Sequence, residues 1–251
     1  MLTNTFLHIP GVGKRTETNL WRAGCRDWKC FLEGIENYRL GTASRETARN
    51  VIQKSAESLA NAEHQYFAKA LGVTEAWRAF HDFRDSCIYL DIETDGGYDG
   101  EAVTVIGLYD GVEFRALFRG EDLAEFPDII SRYAMIVTFF GNGFDLPMLV
   151  RKFWGLRFDQ IHIDLCPTLR RLGYRGGLKG IERQLGIERS PETAGLTGWD
   201  AVRLWNRYVR GDESARDTLT AYNREDVVNL EKLAEFTYAQ MRHYTLPEGF
   251  A

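Results

Sequence analysis

An apolar run, Cys87-Ile88-Tyr89-Leu90, passes without a break into acids at alternate positions, Asp91 and Glu93. A compact run of this kind, bounded downstream by the turn residues Gly96-Gly97, predicts a buried strand. Side chains on a strand alternate between faces, so residues 91 and 93 project from the same one. Two carboxylates on one face at a strand end repel each other and resist joint ionisation unless a cation lies between them. Hard oxygen donors suit Mg²⁺ or Mn²⁺ better than Zn²⁺. A D-x-E pair also arises by chance in surface loops, so its weight depends on the rest of the chain.

The remainder reads as an ordinary globular protein. With 44% hydrophobic and 27% charged residues over 251 positions, the chain suits one large domain, or one domain with a small appendage. Disorder, collagen-like repeats and a disulfide scaffold are excluded. Cys25, Cys30, Cys87 and Cys166 are too irregularly spaced for a disulfide framework or a zinc pair. No apolar run approaches the ~20 residues of a membrane span, and the N-terminus lacks the pattern of a signal peptide. A cytoplasmic, membrane-free protein is expected. The net charge of -5 is unevenly divided. Residues 1–80 hold 11 Lys and Arg against 8 Asp and Glu, and the rest hold 20 against 28. Such asymmetry hints at two jobs, one tolerant of polyanions and one rich in carboxylates.

Glycine punctuation in the first eighty residues predicts helices over about 14–23, 26–33, 43–60 and 62–71. Thr42, Ser44 and Glu46 make a start for the third. Beyond residue 86, strands are predicted at Cys87–Leu90, Val103–Tyr109 and Phe114–Phe118, the last two joined through Asp110-Gly111, a pair that tolerates hairpin geometry. A short helix near 122–132, a strand at Met135–Phe140, a helix from Leu146 and a strand at Ile161–Ile163 follow, and the rest is helical. This order predicts an α/β fold, a mixed sheet flanked by helices with an antiparallel start and later parallel strands. The boundary falls near residue 80, giving a helical region 1–80 and an α/β domain 81–251.

Two further acidic elements join the first. In Gly141-Asn142-Gly143-Phe144-Asp145-Leu146-Pro147, a Gly-rich bend delivers Asp145 to a helix start, where it can cap the helix, serve a metal, or do both. In Tyr222-Asn223-Arg224-Glu225-Asp226, residues four apart share a helix face, so the Tyr222 hydroxyl and the Asp226 carboxylate converge. The competing reading makes Tyr222 half-buried core and Asp226 a solvated charge. Asp164, at a strand end, reads as a helix N-cap. Arg170, Arg171, Arg175 and Lys179 form a run without acids, either a phosphate-holding stretch or a solvated basic face.

In order and chemistry these elements resemble the DEDD superfamily of exonucleases with an RNase H-like fold, over roughly residues 83–236. More closely they resemble the RNase H-like exonucleases predicted in bacteria and archaea. Phe83-Arg84, Asp91-Ile92-Glu93-Thr94, Gly141 to Pro147, Ile161-His162-Ile163-Asp164-Leu165 and Tyr222 to Asp226 carry the resemblance. Position 221 is Ala and position 222 is Tyr, as in the Tyr branch of that superfamily. The resemblance implies a 3′→5′ exonuclease acting on DNA or RNA with a free 3′ end. Asp91, Glu93, Asp145 and Asp226 would hold two divalent ions, Mg²⁺ or Mn²⁺, with no other cofactor. Tyr222 would orient the water, and Thr94 would position the terminal nucleotide. A silent nucleic-acid-binding module and a structure-specific endonuclease are the alternatives.

Near the N-terminus, Ile9-Pro10-Gly11-Val12-Gly13-Lys14-Arg15-Thr16 with Leu20 and Gly24 resembles a helix-hairpin-helix motif. Gly11 and Gly13 would admit a phosphate, and Lys14 and Arg15 would attract it without reading sequence. Glu17 departs from the motif and is expected to put a negative charge near that phosphate. Trp21 and Trp28 read as core, and Lys179 as a phosphate contact.

Overall fold

The computed structural model describes residues 1–250. Its contacts separate two compact units, Met1–Asp85 with Tyr238–Ala251, and Ser86–Thr237.

The first unit is helical: α1 (Lys14–Arg22), α2 (Trp28–Gly34), α3 (Arg45–Ala60), α4 (His64–Glu75) and α5 (Phe80–Phe83). The Asp27 side chain caps α2 by accepting from Cys30 N at 2.8 Å, and Ser44 caps α3 by accepting from Thr47 N at 3.0 Å. Helix α4 breaks where its end is predicted, after Leu71: Gly72 takes a φ of 63° and a ψ of 171°, outside the helical region, so the element is two helices joined at a kink. Trp21 and Trp28 are core residues, their indole N–H groups donating to Asn4 O and Thr5 O, each at 2.8 Å. Glu17 corrects the expectation drawn from sequence. It is 1% exposed, and its carboxylate accepts from Thr5 Oγ1 at 2.7 Å and Phe6 N at 2.8 Å. Arg78 pairs with it at 3.2 Å and with Glu75 at 2.8 Å. A charge departing from the hairpin pattern is thus a buried anchor for the unit's own core.

The second unit is a five-stranded mixed sheet: β1 (Cys87–Thr94), β2 (Val103–Tyr109), β3 (Phe114–Phe118), β4 (Met135–Thr138) and β5 (Ile161–Asp164), in the order β3-β2-β1-β4-β5. The β1–β2 and β2–β3 pairs are antiparallel, and β1–β4 and β4–β5 parallel, as predicted. Its helices are α6 (Phe126–Ile130), α7 (Asp145–Lys152), α8 (Leu165–Arg171), α9 (Leu178–Gln184), α10 (Gly198–Tyr208) and α11 (Glu213–Thr245), the last continuing into the first unit from Tyr238. Strand β1 is longer than its apolar run, because its ladder with β2 continues through Asp91↔Gly107 and Glu93↔Val105. The acids therefore lie within the strand and not beyond it. Strand β4 is shorter than predicted: it ends at Thr138, and Phe140 turns the chain with a φ of 68°, rare for a residue carrying a Cβ.

Alternation along β1 divides the unit. Ile88, Leu90 and Ile92 join Ile106, Leu108, Phe126, Ile136 and Leu149 in one core layer. The opposite face carries Val105 into a second layer with Leu204 and Trp205 of α10 and Leu219 and Tyr222 of α11. Asp91 and Glu93 share that face, pointing toward the helices. Among the described residues, no helix is long and apolar enough to cross a membrane.

Candidate metal centre

The parity of β1 and the 3.6-residue repeat of α11 together build the site. On α11, Tyr222, Asn223, Asp226 and Asn229 recur at three- and four-residue spacing and so share a face. That face meets the acids of β1. One carboxylate oxygen from each of Asp91, Glu93 and Asp226 lies within 4.8 Å of the others. Glu93 and Asp226 are buried, and Asp91 is half-buried. Burial pushes the carboxyls of Asp91 and Glu93 well above the ordinary range, and the neighbouring acids, Asp226 foremost, push them further. Burial likewise raises Asp226, against the pull of Arg189 and Lys179.

Glu93 Oε1 is buried without a hydrogen-bond partner. A buried carboxylate oxygen lacking a donor is costly in a native structure. Three converging carboxylates, one of them with an oxygen left without a donor, fit a hard divalent cation, which would supply the missing charge and partner together.

Asp145 is brought near these acids but bonded elsewhere. It is the first residue of α7 and makes no cap, correcting one of the roles open to it from sequence. Its Oδ1 accepts from Ile92 N at 3.1 Å, between the two β1 acids. Burial, offset in part by its own backbone N–H and by that of Ile92, pushes the carboxyl up to about 7. Asp164 does cap α8, accepting from Cys166 N at 3.1 Å, and it also holds Phe140 N at 2.8 Å and Asn142 N at 3.2 Å. It thereby shapes the bend that delivers Asp145.

Tyr222 is buried, and burial together with the acids raises its phenol far above the ordinary value. Lys179 Nζ sits over its ring, 3.9 Å from the centroid, and also donates to Leu196 O. Thr94 lines the same cleft, of about 400 Å³, whose mouth carries the exposed rings of Tyr98 and Trp199. The four N-terminal residues lie in the other unit. Gly11 has a φ of 87°, and an added Cβ would stand 2.9 Å from Ala43 N, so the hairpin packs on its own chain there. Gly13 opens α1 with free space around it, Lys14 pairs with Glu75 at 3.2 Å, and Arg15 is exposed.

Three participants were not singled out from sequence. Asn223 Nδ2 donates to Asp91 Oδ2 at 3.1 Å, reaching across β2 at Gly107, where an added Cβ would lie 1.9 Å from Asn223 Oδ1. Arg189 donates to Asp226 Oδ1 at 2.5 Å and forks onto Glu182 at 2.6 and 2.7 Å. Asn223 had a signal, lying between Tyr222 and Asp226. Arg189 and Glu182 had none, because they meet α11 through Asp226, 37 residues from Arg189, and Asn229, 47 residues from Glu182.

The RNase H superfamily model matches residues 88–238. No curated protein matches the chain. Among solved structures, the chain is similar to the family B DNA polymerase from the hyperthermophilic archaeon Pyrobaculum calidifontis, at 19% identity and a TM-score of 0.45. That similarity covers 62% of this chain and 24% of the polymerase chain, so the match spans about a quarter of the polymerase.

Proposed function

Because the chain belongs to the RNase H superfamily, we propose that it is a divalent-metal-dependent 3′→5′ exonuclease of the DEDD Tyr type, hydrolysing phosphodiester bonds of DNA or RNA. The observation that carries this reading is the convergence of Asp91, Glu93 and Asp226, with one Glu93 oxygen buried and left without a donor. These three would hold the cations, Mg²⁺ or Mn²⁺, with Asp145 assisting from its place on Ile92 N, between the two β1 acids. When bound, two such ions supply Lewis-acid stabilisation of the attacking and leaving oxygens and acidify the attacking water.

The chain's own groups do the rest. Tyr222 stays protonated at neutral pH, so its hydroxyl orients the water and does not abstract its proton. Lys179 brings a positive charge over the Tyr222 ring, suited to a phosphate oxygen. Asn223 holds Asp91 by its Oδ2, and Thr94 at the cleft contacts the terminal nucleotide. In the N-terminal region, residues 1–80, the free N–H groups at Gly13 and the charges of Lys14 and Arg15 hold the backbone of the substrate, with Gly11 shaping the loop.

The test follows 5′-labelled single strands of DNA and of RNA with Mn²⁺ or EDTA, comparing wild type with Asp91→Ala. A metal-dependent ladder shortening from the 3′ end, absent in the variant, is expected. Salt-sensitive binding without cleavage would replace the exonuclease by a silent binding module. Cleavage of a circular strand would replace it by an endonuclease.

A further inference from the structure

Resting on the metal reading above, we infer that Arg189 is the positioning residue that fixes the orientation of Asp226 for its cation, and that Glu182 and Asn229 hold Arg189 to that task. Arg189 is nearly fully buried, as are both its carboxylate partners. Its Nε and Nη2 form a fork on Glu182 at 2.6 and 2.7 Å, and Nη2 reaches Asp226 Oδ1 at 2.5 Å. Asn229, one turn beyond Asp226 on α11, donates to Glu182 Oε1 at 3.1 Å from the far side. The backbone beside Arg189 is pinned to the same helix, with Ser190 N donating to Glu225 Oε1 at 2.9 Å and Thr193 Oγ1 donating to the other oxygen.

Two effects compete in this arrangement. A guanidinium beside a cation-binding carboxylate repels the cation, and a directed donor fixes the carboxylate's orientation. Glu182 decides between them. It is buried and bound to Arg189 through both oxygens, so the pair carries no net charge and its field at the cation site is that of a dipole. What reaches Asp226 is one oriented N–H donor, which occupies Oδ1 and leaves the other oxygen for the metal. Nη1 of Arg189 is buried without a partner, so the guanidinium has no hold besides these two carboxylates, and loosening Glu182 loosens Asp226. Outer partners that orient ligating carboxylates typically change metal affinity by about 10–100-fold.

The experiment measures Mn²⁺ affinity of the substrate-free full chain by electron paramagnetic resonance, with thermal unfolding in EDTA alongside to separate folding from binding. Arg189→Met is expected to weaken Mn²⁺ binding by about 10–100-fold. Arg189→Lys keeps the charge but lacks the planar fork, so it is expected to weaken binding as well. Asn229→Ala, which leaves both ions in place, is expected to show a smaller loss in the same direction, and it serves as the test if Arg189→Met does not fold. Affinity unchanged in the folded variants overturns the inference. Tighter binding overturns it too, by making Arg189 a competing counter-charge. A wild-type chain that takes up no Mn²⁺ overturns the metal reading itself and this inference with it, whereas binding that is retained equally by wild type and variants overturns this inference alone.

Discussion

Asp145→Asn should stabilise the metal-free protein, and do so only above acidic pH. The Asp145 carboxyl is pushed up to about 7 from an ordinary value of 3.8, chiefly by burial. A raised folded-state value means that the unfolded chain releases its proton first. Below pH 4 both states are protonated and Asp145 is neutral in its effect. As pH rises from about 4 to about 7 the folded state loses ground, and above 7 the loss is complete. At ~1.4 kcal/mol per pH unit, the full interval is worth about 4 kcal/mol. Asparagine removes this cost while keeping an oxygen that can accept from Ile92 N, and the raised value already contains the loss of the charged acceptor. The gain of about 4 kcal/mol corresponds to roughly 8–16 °C in Tm for a protein of this size. Calorimetry in EDTA at pH 8 should show that gain, and at pH 4 it should vanish. An equal gain at both pH values, or none at pH 8, would refute the assignment of the cost to a buried carboxylate.

Gly107→Ala should displace Asn223, since the new Cβ would lie 1.9 Å from its Oδ1. We expect a loss of roughly 1–3 kcal/mol by urea unfolding, together with weaker Mn²⁺ uptake. Arg78→Met leaves Glu17 buried without its cation, while Glu75 keeps Lys14, and should cost about 3–5 kcal/mol, read from urea unfolding. A loss below about 1 kcal/mol would mean that water reaches the Glu17 carboxylate. Tyr222→Phe should reduce kcat by up to about a hundredfold by misplacing the water. Its pH–rate profile should keep the wild-type shape up to pH 10, because the phenol is raised above that range, and loss of a limb that rises with pH would instead make Tyr222 a proton acceptor.

Much of the second unit could be read from its residues. The β2 and β3 boundaries fall where apolar runs flank Asp110-Gly111, because a hairpin closes over a few residues and needs only local information. The face shared by Asp91 and Glu93 follows from period two, and the pairing of Tyr222 with Asp226 from the helical repeat. Where sequence reading stopped short, the cause was nonlocal. β1 extends through its acids because β2 supplies ladder partners. Glu17 turned out to be a buried anchor because Arg78, sixty-one residues away, neutralises it. Asp145 lies inside α7, one residue past its N-cap Phe144, and its Oδ1 accepts from Ile92 N, fifty-three residues away.

The order of strands and helices, the parity that puts two acids on one face and the spacing that adds a tyrosine and a third acid are properties of the chain alone, because each depends on backbone periodicity. Which carboxylate oxygens meet, which one is left without a donor and which arginine holds Asp226 are decided only when α11 and the segment carrying Arg189 pack on the sheet. Those contacts join residues with no fixed separation in sequence, and their energies come from burial, which exists only in the folded protein.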